Sequence, residues 1–341
     1  MSRRRLLVWA GLTALLALTF RAVVEGDGVG YYSYLHTLLY DHDLDFSDEY
    51  RAALDAGVPV WADWITWRSA TGLLVNFYPV GTALLSAPAY LGALAFHPDG
   101  KPLFGPPFTT AYVAASLLWG LLALAVSHRL AVGAVGSRWP ALVGVAAAGL
   151  ATPLTFYLTL EPSYSHTFSA FAAAVFVYAW WRGGWRESAP KALGLGLLAA
   201  LMALVRYQDG LLAAIVLLDL RRARWRVLVA ALGAAAGFAP QLAVDQVLFG
   251  GWLPGRPPEL AFEPWPGHYL QLLAASQHGL FLWCPAMLAA LIGAALLPDR
   301  RLALGFLVGF LGQVLLQGAA PDWSAGHAFG PRRFAVLTVF L

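Results

Sequence analysis

The chain has 341 residues, 59% of them hydrophobic and 12% charged, with a mean hydropathy of +0.64. A soluble globular domain carries about 25% charged residues, and half that share is too little to cover a water-facing surface, so the composition excludes an ordinary soluble domain. The net charge is only +3, and Lys and Arg cluster between apolar blocks, as in cytoplasmic loops and unlike a nucleic-acid-binding surface.

The N-terminus carries Arg3, Arg4 and Arg5 ahead of an apolar run over residues 6–23. Arg21 and Glu25 stand where a signal peptide would carry a small-residue cleavage site. The run is therefore read as an uncleaved first span with its N-terminus in the cytoplasm. Further apolar segments follow at residues 73–96, 108–127, 141–160, 167–181, 192–205, 211–220, 227–248, 280–297, 302–316 and 334–341. They make about eleven segments, judged against a hydrocarbon core about 30 Å thick. The predicted fold is an all-α polytopic membrane protein, one transmembrane domain over residues 1–341, multi-pass in the inner (plasma) membrane. The run from Phe334 stops at Leu341, and the chain is expected to continue beyond it.

Basic clusters set the orientation. Those at residues 128–138, 182–191, 221–226 and 299–301 are expected to be cytoplasmic. Parity then requires that residues 73–96, interrupted by Pro79, Gly81 and Pro88, be broken or re-entrant. Residues 192–205 and 211–220 read as a hairpin with Arg206 and Asp209 at its far tip. The outer polar segments are then about residues 24–71, 97–107, 161–166, 206–209, 249–279 and 317–333.

These segments hold the candidate chemistry. Asp27 lies between Gly26 and Gly28, where glycines let the backbone approach a ligand closely, although Asp and Gly are also ordinary turn residues. Residues 31–40 have the spacing of an amphipathic helix lying at the interface. Asp41, His42 and Asp43 can ligate a metal, with a solvated charge run as the simpler reading. Asn76 and Tyr78 open the broken segment, where a polar side chain can line a cavity or satisfy a freed carbonyl. Glu161 and His166 stand at a membrane edge, where ionisable groups are expensive and default to a functional reading. Arg206 and Asp209 either pair with each other or leave the guanidinium to grip an anion. Asp322, His327, Arg332 and Arg333 crowd a glycine-rich loop that breaks the orientation rule. Cys284, the only cysteine, rules out an intrachain disulfide and reads as a small buried residue.

This arrangement resembles the GT-C superfamily of polyprenyl-phosphate-sugar-dependent glycosyltransferases, specifically bacterial relatives of protein mannosyltransferases and aminoarabinose transferases. The resemblance is carried by residues 26–28, 31–45, 76–81, 152–166, 204–206 and 322–333. It implies a GT-C-like transmembrane helix bundle with a long first outer loop carrying juxtamembrane helices. It implies transfer of a sugar from a polyprenyl-phosphate donor to an acceptor on the outer face, with inversion. Asp27 matches the family's catalytic base or metal partner by position. Glu161 is the nearest match to a second acidic site, where Asp is more usual. Arg206, Arg332 and Arg333 match arginines that hold the lipid phosphate, and Tyr31, Asn76, Tyr78, His166, Asp209, Asp322 and His327 complete the expected substrate-binding set. A divalent metal is required in some relatives. The expected partners are the lipid-linked sugar, the bilayer and an unidentified acceptor, with no nucleic acid. A transporter or flippase of a lipid-linked sugar is the alternative, although no internal repeat is visible; a non-catalytic scaffold is a third.

Overall fold

The computed structural model describes residues 6–7, 10–11, 13–14, 18–252, 265–326 and 328–341, apart from the Asp63 side chain. The expected first span and His327 therefore lie partly or wholly outside the described residues. The described chain is all-α, and its only β-pairing is a bridge between Arg68 and Leu74. Among the described residues three helical stretches are long and apolar enough to cross a membrane: Phe108–Val135, Tyr207–Phe249 (a 3₁₀ segment continued by an α-helix) and Arg300–Gly318.

Helix α1 (Asp27–His36) runs into a π-turn at Thr37–Asp41 and is followed by α2 (Ser47–Asp55) and α3 (Ala62–Thr66). Next come α4 (Gly81–Phe96), α5 (Phe108–Val135), α6 (Arg138–Leu150), α7 (Leu154–Thr159) and α8 (His166–Arg182). Then follow α9 (Ala189–Val205), a 3₁₀ segment (Tyr207–Asp219) and α10 (Leu220–Phe249). The last elements are α11 (Tyr269–Ala274), α12 (Leu280–Trp283), α13 (Pro285–Leu296), α14 (Arg300–Gly318) and a 3₁₀ segment (Arg332–Phe340).

One apolar cluster joins α5, α8, α9, α14 and the C-terminal 3₁₀ segment; a second joins α1 and α2 to α4 and the start of α5. Between α9 and α10 the backbones touch. A Cβ on Gly196 would sit 1.9 Å from the carbonyl oxygen of Ala230. Small residues permit this approach where apolar lipid offers helices no hydrophobic drive to associate.

The molecule has two polar ends. At the basic end Arg186 and Arg301 converge on Asp219, Trp181 donates to Asp299 at 2.7 Å, and Arg226 donates to the carbonyl of Glu187 at 3.3 Å. Helices α8, α9 and α14 all connect this end to the other. At a rise of about 1.5 Å per residue, their 17 to 19 residues span roughly 25–29 Å. Their far ends bring His166, Arg206 and Gln317 to one cavity.

Several sequence expectations need correcting. Residues 31–40 are not an exposed amphipathic helix throughout: from Gly28 to His36 every residue of α1 is buried. Tyr32 packs on Tyr90, Phe104 and Tyr112 and donates to the carbonyl of Leu103 at 2.6 Å, so tertiary partners absorb its polar tip as well as its apolar faces. Residues 141–160 are not one helix, because the chain turns between α6 and α7 at Thr152 and Pro153. Residues 280–297 break at Cys284, ahead of Pro285, and α13 alone is only 12 residues long. Cys284 itself is buried.

Residues 73–96 are helical only from Gly81, whose Cα abuts Leu204, while His97 packs beside Phe108. At Arg206 the backbone is extended (φ −153°, ψ 121°), and the 3₁₀ segment turns back so that Gly210 meets Ala203.

Candidate active site

A cavity of about 510 Å³ lies between α1, the 77–79 segment, the start of α8, the 206–208 turn, the end of α14 and the C-terminal 3₁₀ segment. Of the residues singled out in the sequence, Asp27, Tyr31, Tyr78, His166 and Arg206 line it, together with Asp322, Arg332 and Arg333. These eight come from positions up to 306 residues apart, which no local signal connects.

Asp27 begins α1. The preceding Gly26 adopts φ 55°, ψ −135°, and a Cβ there would fall 2.1 Å from the Tyr164 hydroxyl. Gly28 is equally confined, because its Cβ would lie 2.1 Å from Ser163 Oγ. Glycine is thus demanded on both sides of Asp27 by conformation and by the close approach of residues 163–164. The carboxylate takes two charge-assisted hydrogen bonds: Tyr78 Oη donates to Oδ1 at 2.9 Å and Arg332 Nη1 donates to Oδ2 at 2.7 Å. Arg332 also sits over the Tyr164 ring, 5.4 Å from its centroid. Tyr31 packs on Tyr78, ring centroids 4.5 Å apart, and accepts a hydrogen bond from Ser165 at 3.0 Å. Burial pushes the Tyr31 phenol up to about 12, so it stays a neutral hydrogen-bonding group.

Across the cavity Arg206 is 6% exposed, and its side-chain hydrogen-bond partners among the described residues are neutral. Nη1 donates to His166 Nδ1 at 2.5 Å; with its amide oxygen turned to the guanidinium, Gln208 accepts from Nε at 3.1 Å and Nη2 at 2.5 Å. Because Arg can only donate, His166 Nδ1 must carry a lone pair. Among the described residues no carboxylate lies within 4.0 Å of Arg206. Asp209 does not pair with it; its Oδ2 accepts from Ser169 at 2.5 Å. Arg333 is bound to Asp322 and donates to Gln317 Oε1 at 3.2 Å. Counting only the lining side chains, three guanidinium groups face two carboxylates. A buried charge is normally paired; the further carboxylate within electrostatic reach of Arg206 is Asp209, which lies outside the lining and makes no direct ion pair with it.

The other sequence candidates lie outside the cavity lining. Asn76 stands behind the wall, donating to the carbonyl of Gly30 at 2.8 Å and accepting from the Tyr78 N–H at 3.1 Å, which settles its alternative readings in favour of holding the backbone. Asp209 is wholly buried. Glu161 is half-buried nearby, its carboxyl raised above the usual range by burial and by Glu25. A metal at Asp27 does not fit the donors present: both its oxygens are engaged by Arg332 and Tyr78, and among the described residues no group of three metal-ligating side chains includes it. Sequence reasoning missed Gln208 and Gln317. Gln317 and Gln313, four apart in an otherwise apolar span, mark one helix face and were the available signal. Gln317 donates to Gln313 at 3.2 Å, and Gln313 donates to the Gln208 carbonyl at 3.1 Å.

No protein-family model matches the chain, and neither the curated proteins nor the solved structures searched contain a match.

Proposed function

We propose that this protein is a polytopic membrane glycosyltransferase of the GT-C type, using a polyprenyl-phosphate-linked sugar on the face opposite its basic loops. The observation that carries the reading is the buried guanidinium of Arg206, with no carboxylate within 4.0 Å among the described residues, facing Asp27 across one cavity. An anion-binding group and a carboxylate base within one cavity are what such a transfer requires. The donor's phosphate is bound by Arg206 with Arg332 and Arg333 beside it, whose planar donor forks suit phosphate oxygens. Phe77, Pro79, Leu316 and Ala320 form apolar walls for the first prenyl units.

In the transfer, the acceptor hydroxyl oxygen attacks the anomeric carbon, and its proton passes to Asp27. The bond from the anomeric carbon to the phosphate oxygen breaks, and the electron pair leaves with the polyprenyl phosphate. Arg332 bridges the two halves of the chemistry. It holds Asp27 in the resting site, and a bound phosphate competes for it, freeing the carboxylate to accept a proton. Prepositioned guanidinium charge stabilises the leaving phosphate as its charge grows.

The test is transfer from a radiolabelled polyprenyl-phosphate sugar pool in membranes, comparing wild type with Asp27→Asn. The amide keeps the hydrogen bonds in reach and removes the base, so transfer is expected to fall by about 10²–10⁴ at normal expression. Equal transfer by the variant would reduce Asp27 to a turn residue. Movement of the lipid-linked sugar across the membrane without transfer would favour a flippase.

A further inference from the structure

Five acidic residues fall within nine positions at the junction of α1 and α2: Asp41, Asp43, Asp45, Asp48 and Glu49. Two are spent on the loop itself. Asp43 Oδ1 accepts from the Asp45 N–H at 3.0 Å, and Asp45 Oδ1 accepts from the N–H and hydroxyl of Ser47. The other three converge, with carboxylate oxygens of Asp41, Asp48 and Glu49 all within 4.8 Å of one another.

Glu49 sets this group apart from an ordinary solvated acidic run. It is wholly buried, one oxygen accepts from the Thr37 hydroxyl, and the other has no partner in hydrogen-bond geometry among the described residues, its polar neighbours being the carboxyls of Asp48 and Asp41. Asp41 Oδ2 is likewise buried and makes no hydrogen bond among the described residues, with His36 Nε2 3.5 Å away as an ion-pair neighbour when protonated. Burying an unpaired polar oxygen is costly, and like charges at this spacing repel. A cation at the centre removes both costs.

We propose that Asp41, Asp48 and Glu49 form a structural site for a hard divalent cation of the calcium–magnesium class. All three donors are carboxylates, the ligand type such cations prefer. Glu49 forms the inner wall, and the exposed Asp48 leaves the outer side open to coordinating water. The site lies at the opposite end of α1 from Asp27, about 20 Å away at 1.5 Å per residue. It ties the π-turn that ends α1 to the first turn of α2, and so braces the helix that carries Asp27. It does not depend on the transferase reading.

The experiment uses the full chain in detergent, stripped with chelator and then titrated with CaCl2 or MgCl2 at constant ionic strength, following Tm and bound metal by elemental analysis. Wild type is expected to show a saturable rise in Tm and one bound ion per chain. E49Q is expected to lose both, with a metal-free Tm equal to or above that of wild type because the repulsion is relieved. D48N changes an exposed side chain and so keeps the test open if E49Q fails to fold; it is expected to bind at least tenfold more weakly, whereas D43N binds as wild type does. Absence of a saturable shift and of bound metal in wild type would overturn the proposal. So would a D48N variant that binds as tightly as wild type.

Discussion

The two polar ends of the molecule use the same residue types to opposite effect. At the basic end Asp219 is 1% exposed, and its carboxylate is filled: Arg301 donates at 2.5 Å, Arg186 at 3.1 Å and Trp180 Nε1 at 3.1 Å. Arg301 also stacks 3.9 Å over the Trp180 ring and donates to two backbone carbonyls. Arg186 and Arg301 share this one carboxylate, and the cluster pins α8, the 3₁₀ segment and α14 together. At the cavity end Arg332 and Arg333 have carboxylate partners, Arg206 has none within 4.0 Å among the described residues, and all three face open volume. Arginines over carboxylates do not identify a site. A guanidinium with no close carboxylate beside a void does.

The sharpest way to break this comparison is to unbalance the closed end. Asp219→Asn leaves two guanidinium groups short of a counter-charge and is expected to cost about 3–5 kcal/mol, read as a large fall in Tm and in folded yield. Next is Gly26→Ala, which forces a Cβ into a glycine-only backbone conformation beside Tyr164. A cost of about 2 kcal/mol is expected from the strain, with a displaced Asp27 and reduced transfer measured in the same preparation. Arg206→Met should do the reverse of Asp219→Asn. Removing a charge that has no close carboxylate leaves Tm unchanged or raised, while affinity for a polyprenyl phosphate falls roughly tenfold or more, in line with about 1.5–3 kcal/mol for a hydrogen bond to a charged group. A loss of Tm comparable to that of Asp219→Asn would show that Arg206 is structural and undo the contrast.

The smallest expected effect is at Glu161. Its carboxyl is raised in the fold, so it favours folding while protonated, and that contribution is lost as pH rises through the folded-state value. Glu161→Gln is therefore expected to raise Tm slightly at neutral pH, with the gain disappearing on acidification. Thermal unfolding across pH 4–8 measures it, about the range in which a raised carboxyl titrates.

Much of the site was legible one residue at a time. Asp27 stood out by its flanking glycines, Arg332 and Arg333 by violating the charge rule, and Arg206 by interrupting an apolar run. Their grouping was not legible, because contacts such as Arg332 to Asp27 join residues 305 apart. Nor was the difference between Asp27 and Asp209, two carboxylates beside basic residues. One faces the cavity and the other is buried against Ser169.

Composition and hydropathy alone determined that the chain is helical and built of apolar segments, because low charge and blocks of spanning length are properties that every arrangement of those segments shares. Where a helix stops was decided locally in some places, as at Pro285, and tertiarily in others. Residues 31–40 carried an amphipathic pattern, yet the neighbouring tyrosines and carbonyls buried all sides of that helix. Only the tertiary structure decided which arginine is neutralised and which faces empty volume. That depends on distances between segments remote in the chain, and electrostatic energy follows distance and burial rather than sequence order.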